Sequence, residues 1–157
     1  MTDVLTKSQR SYCMSRISGK NTGPELEVRR LLHSKGYRYR LHVRNLPGCP
    51  DLVFKARRAV ILVNGCFWHR HRCGAGSKLP RTRPGFWRTK LAANKRRDVA
   101  TERALRSRGW RVLTVWECQL RRWSQERLAR HLEDFLAERP RPKTCFGDSA
   151  SRSRKAR

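Results

Sequence analysis

The chain has 157 residues, and 38 Lys+Arg against 12 Asp+Glu give a net charge of +26 and a sequence pI near 11.5. This length predicts one domain, and 38% hydrophobic residues supply a core while excluding a collagen or an acidic solvating tail. The charge points to a polyanionic partner, and no run of roughly 18 apolar residues exists to span a membrane. The first twenty residues, MTDVLTKSQRSYCMSRISGK, lack the apolar stretch of a secretory leader. The expectation is therefore a cytoplasmic, bacterial, nucleoid-associated protein whose six cysteines are thiols or metal ligands.

Residues 1–23 are polar, basic and aperiodic, and are predicted to form a flexible basic arm. A helix is expected from Pro24, with Glu25 and Glu27 near its positive end, Leu26, Val28, Leu31 and Leu32 as an apolar face, and Gly36 as its stop. Tyr37–Val43 alternates and reads as a strand, Asn45–Pro50 as a loop, and Asp51–Phe54 as a second strand. Ala59–Val63 is a continuous apolar strand of the kind buried on both faces. Asn64–Pro84 fits neither period. A long basic helix follows from Phe86 to Arg108, with Leu91, Val99, Ala100 and Leu105 as its apolar residues and Gly109 closing it. Trp110–Glu117 reads as a buried strand and Gln125–Glu138 as an amphipathic helix. The domain is thus 24–138, and 139–157 is predicted to be a disordered basic tail. This order argues for an α/β domain with a central mixed sheet flanked by helices.

Three constellations could carry chemistry. Cys66, His69, His71 and Cys73 crowd one loop and Cys118 follows a strand, which favours a structural zinc over ordinary buried thiols and surface histidines. Pro50-Asp51 at a strand start, with a second apolar strand after it, resembles the PD-(D/E)xK nuclease arrangement, in which a carboxylate holds Mg²⁺ against the scissile phosphate, although a Pro-Asp pair alone is more often a turn signal. Val63-Asn64-Gly65 stands where an acid-x-Lys would sit, and His69 is the nearby group able to move protons. Phe67-Trp68 and Phe86-Trp87 lie among Gly, Pro and Arg, where an aromatic pair serves as a wedge into a base step. Trp110, Trp116 and Trp123 read as core or rim, and Cys13, Cys49 and Cys145 as structurally neutral.

The run Asn64–Cys73 (NGCFWHRHRC), Pro50-Asp51 before it and Gly109–Cys118 (GWRVLTVWEC) after it resemble the very short patch repair (Vsr) endonucleases, over a stretch from about Met14 to Leu120. The resemblance implies a restriction-endonuclease-like fold with a structural zinc, and nicking of one DNA strand beside the thymine of a T:G mismatch left by deamination of 5-methylcytosine. It further implies that Asp51 and the Val63 carbonyl hold catalytic Mg²⁺, that Glu25 supports the metal waters and that His69 is the base. Cys66, His71, Cys73 and Cys118 would hold Zn²⁺; Phe67, Trp68 and Trp87 would form the wedge; and Met14, Lys90 and Asn94 would touch the mismatched pair or its neighbours. The family's best-studied pattern carries a second catalytic histidine where this chain has Asn64, and a threonine where it has Val63. A backbone ligand survives the second change, whereas Asn64 offers only a neutral donor beside the phosphate, so slower nicking with a shifted pH profile is expected. The same loss keeps open a zinc-stabilised protein that binds mismatches with weak or no cleavage. A monomer acting on duplex DNA, with mismatch-repair proteins as further partners and no membrane, completes the expectation.

Overall fold

A computed structural model describes Thr6, Ser8, Gln9, Tyr12 and residues 19–138 of the protein. Met14, most of the expected arm, and the expected tail lie outside the described residues.

Helix α1 (Gly23–Ser34) begins where the sequence signals converge: the Thr22 hydroxyl accepts from the Glu25 N–H and Pro24 occupies the first turn. It stops at Gly36, whose φ of +84° is the left-handed turn a glycine accepts readily. Four strands follow, β1 (Arg40–Leu41), β2 (Leu52–Phe54), β3 (Ala59–Asn64) and β4 (Arg111–Trp116), paired in chain order. The first two pairings are antiparallel and β3 runs parallel to β4, so the sheet is mixed as expected. A one-turn helix α2 (Gly74–Ser77) and the long α3 (Pro84–Ser107) carry the chain from β3 to β4. The short α4 (Glu117–Arg122) and α5 (Gln125–Ala137) complete the fold.

The sheet is covered on both faces. Leu52, Phe54, Ala59, Ile61 and Val115 pack against Val28 and Leu32 of α1 and Leu128, Leu132 and Leu136 of α5. The intervening residues Val53 and Val60 turn to the opposite face, onto Leu105 of α3 and Trp110. Strict side-chain alternation thus produces the unbroken apolar runs of β2 and β3.

Three expectations need correction. The strand expected over Tyr37–Val43 pairs only at Arg40–Leu41, because His42 enters the left-handed region at φ +44° and ends the ladder. Its alternation has a different cause: Tyr37 and Tyr39 both turn onto Phe54, at ring separations of 6.4 and 5.7 Å. Val99, read as apolar face of the long helix, is 60% exposed, and Leu91 and Leu105 bury that helix instead. The last strand ends at Trp116, and Glu117 and Cys118 open helix α4, where a continuous strand reading had given Glu117 to the sheet.

Candidate active site

The C-terminal end of β3 faces a cleft of about 730 Å³ that Asp51, Val63, Asn64, Trp68, His69 and α3 help to line. Asp51 sits one residue before β2, and its Oδ2 accepts the Val63 N–H at 2.8 Å. A strand residue sends its N–H and C=O to the same edge, so the Val63 carbonyl leaves β3 on the carboxylate's side. Burial raises the Asp51 carboxyl above the ordinary carboxylate range, against the lowering effect of the Val63 N–H and of His42, Arg29 and His69.

Glu25, in the first turn of α1, is only 2% exposed and points inward, so that Glu25, His42 and Asp51 offer ligand atoms within 4.8 Å of one another. Arg29, one turn on, pairs with the Glu25 carboxylate. The same guanidinium reaches His42 Nε2 at 2.8 Å and Asn21 Oδ1 at 2.7 Å. Burial lowers the His42 pKa and outweighs the opposing pull of Asp51, with Arg29 and Lys20 adding smaller lowering effects. Neither Arg29 nor His42 carried a signal in the sequence that set it apart from its neighbours.

Across the cleft, His69 Nδ1 lies 2.7 Å from Asp98 Oδ2. A hydrogen bond there gives Nδ1 the proton and leaves Nε2 free to accept one. Sequence reasoning missed Asp98, although its spacing was informative. Trp87, Lys90, Asn94, Asp98 and Thr101 recur at three and four residues along α3, and Asp98 is the acid on that stripe. Asn94 donates to the Trp68 carbonyl at 3.1 Å, tying α3 to the loop that carries His69.

The two aromatic pairs, Phe67-Trp68 and Phe86-Trp87, meet at the cleft rim. Phe67 lies 5.1 Å from Trp68 and 5.5 Å from Trp87, Trp68 lies 6.0 Å from Trp87, and Phe86 joins through Trp87 at 5.4 Å. Lys90 Nζ stands 5.6 Å from the ring centres of Trp68, Phe86 and Trp87, within cation–π range of all three.

Behind the rim, Cys66, His71, Cys73 and Cys118 bring four ligand atoms within 4.8 Å of one another. His71 Nδ1 is 3.8 Å from Cys66 Sγ and 3.4 Å from Cys118 Sγ. Zn–S and Zn–N bonds of about 2.3 and 2.1 Å require tetrahedral edges of about 3.6 Å, so the donor set fits such an ion. Burial raises the Cys66 thiol, while the Gly76 backbone and the His71 side chain lower Cys73. Trp116, the last residue of β4, stacks on the His71 ring at 4.3 Å. Of the cysteines read as neutral, Cys49 is free and Cys13 and Cys145 lie outside the described residues.

An acid at a strand end, a His–Asp pair and an aromatic rim in one cleft match a nuclease, and the relatives agree. Residues 2–75 match the family described as DNA mismatch endonuclease Vsr. The chain is 40% identical over 139 residues to the DNA mismatch endonuclease Vsr of Escherichia coli, covering 87% of this chain and 88% of that one. It belongs to the Vsr family. It is 52% identical over 120 residues to the type II nicking enzyme V.XorIIP of Xanthomonas oryzae, covering 76% of this chain and 88% of that protein. It is 38% identical over 141 residues to the type II nicking enzyme V.NmeAIP of Neisseria meningitidis, covering 87% of this chain and all of that one. This Vsr-family protein is therefore a DNA-cleaving hydrolase, and the relatives favour an endonuclease over the expected alternative of a mismatch-binding protein with weak or no cleavage. Among the described residues no helix is long and apolar enough to cross a membrane.

Proposed function

We propose that this enzyme is a Mg²⁺-dependent endonuclease of very short patch repair. It nicks one strand of duplex DNA beside the thymine of a T:G mismatch that arises by deamination of 5-methylcytosine. The observation that carries this reading is the cleft itself, which pairs the strand-end carboxylate of Asp51 with the His69–Asp98 couple beneath an aromatic rim.

Asp51 and the Val63 carbonyl hold the divalent ion, and Glu25 supports its waters. When bound, Mg²⁺ polarises the scissile phosphate and lowers the pKa of an attacking water. His69 takes the proton from that water at Nε2, because Asp98 holds the other ring nitrogen. Asn64, at the end of β3, donates a neutral hydrogen bond toward the phosphate, weaker than the cationic group a histidine would supply. Slower turnover with a displaced pH profile follows.

Phe67, Trp68 and Trp87 wedge the duplex open beside the mismatch, at an unstacking cost of about a few kcal/mol that backbone contacts offset. Lys90 and Asn94, on the same stripe of α3, meet the mismatched pair, and Met14 approaches it from the arm. Cys66, His71, Cys73 and Cys118 hold a structural Zn²⁺ whose four ligands leave no open position for chemistry. One cleft cuts one strand, which suits a monomer; mismatch-repair proteins act on the nick.

A strand-resolved nicking assay on duplexes that differ in one base pair tests this. Cleavage is expected on the thymine strand of the T:G duplex, with Mg²⁺ only, and Asp51→Ala should reduce it about 100-fold or more while leaving duplex binding in place. Equal nicking of matched duplex, or undiminished nicking by Asp51→Ala, would overturn the reading.

A further inference from the structure

The cleft lies at the C-terminal end of β3, which runs parallel to β4. The two connections that enter this parallel pair therefore lie together at the other end of the sheet. One is the 3₁₀ turn Lys55–Arg57 with Arg58 before β3, and the other is residues 106–110 before β4. A strand rises about 3.3 Å per residue, so the six residues of β3 set this pole about 17 Å from the cleft.

The pole is basic in a way the cleft is not. Lys55, Arg57, Arg58, Arg106 and Arg108 are exposed, and Arg111 is half-buried beside them. Among the described residues Arg106 pairs with Glu102 and Arg111 with Glu138, and no carboxylate pairs with Lys55, Arg57, Arg58 or Arg108. The last turn of α5 adds one further acid, Asp134. Asp51, Asp98 and Glu117, by contrast, all line the cleft.

These cations are also fixed in place. Arg58 Nη2 donates to the Arg108 carbonyl at 2.6 Å, its guanidinium lies 5.0 Å from the Trp110 ring centre, and the Arg111 N–H returns to the Arg58 carbonyl at 2.8 Å. Arg57 Nη1 donates to the Leu136 carbonyl at 2.9 Å, and Arg111 donates to that of Phe135. Arginine side chains thus tie two loops and the end of α5 into one platform. A guanidinium has five N–H donors, and Arg57 and Arg58 each spend one on these carbonyls, so the exposed remainder can meet an acceptor from solvent. Forks held in this way lose less freedom on meeting a phosphate than loose side chains do. The chain leaves α5 on the same side, and residues 139–157 carry seven Lys or Arg against one Asp.

We propose that this pole is a second duplex-binding face, which grips the phosphate backbone of one DNA segment while the cleft holds another. Phosphate contacts carry no sequence information, so the face takes any duplex. A protein that touches the next segment before leaving the first passes between segments without entering free solution, which shortens its search for a target. The proposal needs only that the cleft binds DNA and is independent of the role given to Asp51.

The test is energy transfer between a donor-labelled and an acceptor-labelled duplex mixed with the full chain in the absence of Mg²⁺. The parent should bring the two duplexes together when protein is scarce and lose the signal when protein is in excess and each duplex is held singly. Lys55→Gln, Arg58→Asn and Arg108→Gln combined should cut bridging about 10-fold at fixed salt, with binding and Mg²⁺-dependent nicking of a single T:G duplex kept within about threefold. Asn is used at position 58 because the backbone there has φ +47°. Should nicking fall as well, the pair Lys55→Gln and Arg108→Gln, which keeps the Arg58 bond, decides, with about a threefold loss or more expected of bridging alone. Removing the same charge from the exposed surface of α4 and α5, by Arg122→Gln, Arg127→Gln and Arg130→Gln, should leave bridging within about twofold. A parent that never bridges, a pole variant that bridges like the parent, or an equal loss in the α4 and α5 variant would overturn the proposal. Capture of phosphatidylglycerol vesicles in preference to a second duplex would overturn it too, by marking the pole as a lipid-binding face.

Discussion

A methyl group at position 76 has no room. A Cβ built there would stand 2.1 Å from the His71 carbonyl oxygen and 2.8 Å from that of Cys66, and both oxygens belong to the backbone of residues in the four-donor cluster. A flexible side chain could swing away, but these oxygens cannot move without carrying the ligand residues with them. Overpacking of this kind costs about 3 kcal/mol. In a folded region of this size each kcal/mol lowers the melting temperature by about 3–6 °C, so Gly76→Ala should melt roughly 10–15 °C below the parent. It should also lose most of the one equivalent of zinc expected of the parent. Gly74→Ala is the matched control, since it adds the same methyl to the same short helix where nothing lies within 4 Å. Metal analysis and differential scanning calorimetry, with and without EDTA, read both effects. A Gly76→Ala protein with a full equivalent of zinc and an unchanged melt would refute the argument that this glycine lets the loop close around an ion.

Three other outcomes are expected. Asp98→Asn leaves the His69 hydrogen bond possible but removes the carboxylate from the couple, so kcat in the nicking assay should fall about 10-fold to 100-fold with KM unchanged; an unchanged kcat would remove Asp98 from the mechanism. Trp68→Ala should lower the preference for T:G over matched duplex by about 10-fold, measured by competition binding, with a smaller loss on matched duplex; equal losses on both would refute the wedge. For Asp51, burial holds the folded-state pKa above its unfolded value. The carboxyl therefore contributes no penalty below the ordinary carboxylate range and an increasing one as pH rises through its folded value. Metal-free Asp51→Asn should melt above the parent at about pH 7, with the gap closing toward about pH 4, and equal melts at both pH values would count against the burial argument.

The sequence was most informative where one residue type serves one purpose. Pro24 and Gly36 mark α1, and the apolar runs at Leu52–Phe54 and Ala59–Val63 mark strands covered on both faces, because turn residues and burial leave a local pattern. The Cys/His loop was legible for the same reason: four soft donors have few other uses. What escaped depends on contacts between distant segments. Asp98 acquires meaning only when α3 brings it to 2.7 Å from His69, twenty-nine residues earlier in the chain. His42 looked like one more residue of an alternating strand, and only the packing of α1 against its loop reveals the left-handed turn and the Arg29 contact. Val99 failed as a core residue because α3 buries a narrow stripe, while its apolar content is spread around a helix whose other faces are basic.

Charge and chemistry make opposite demands on this cleft. A net charge of +26 attracts a duplex, yet Asp51, Asp98 and Glu117 line the cleft in which the proposed reading seats the phosphate, and Glu25 lies buried nearby. Two like charges about 4 Å apart repel by about 4 kcal/mol at an effective dielectric of 20, enough to exclude an unaccompanied phosphate from contact with Asp51. Arg29 cancels Glu25 and leaves Asp51 as the charge still to be balanced. On the proposed reading, a divalent ion held at Asp51 would reverse that sign, and the acid that repels a phosphate in the metal-free protein would then help to seat the reacting group. Overall affinity therefore follows the basic surface and falls with salt, independently of the ion. On the same reading, seating of the scissile phosphate would follow Asp51 and its ion, so that a protein with 38 cationic residues would still need a carboxylate to cut.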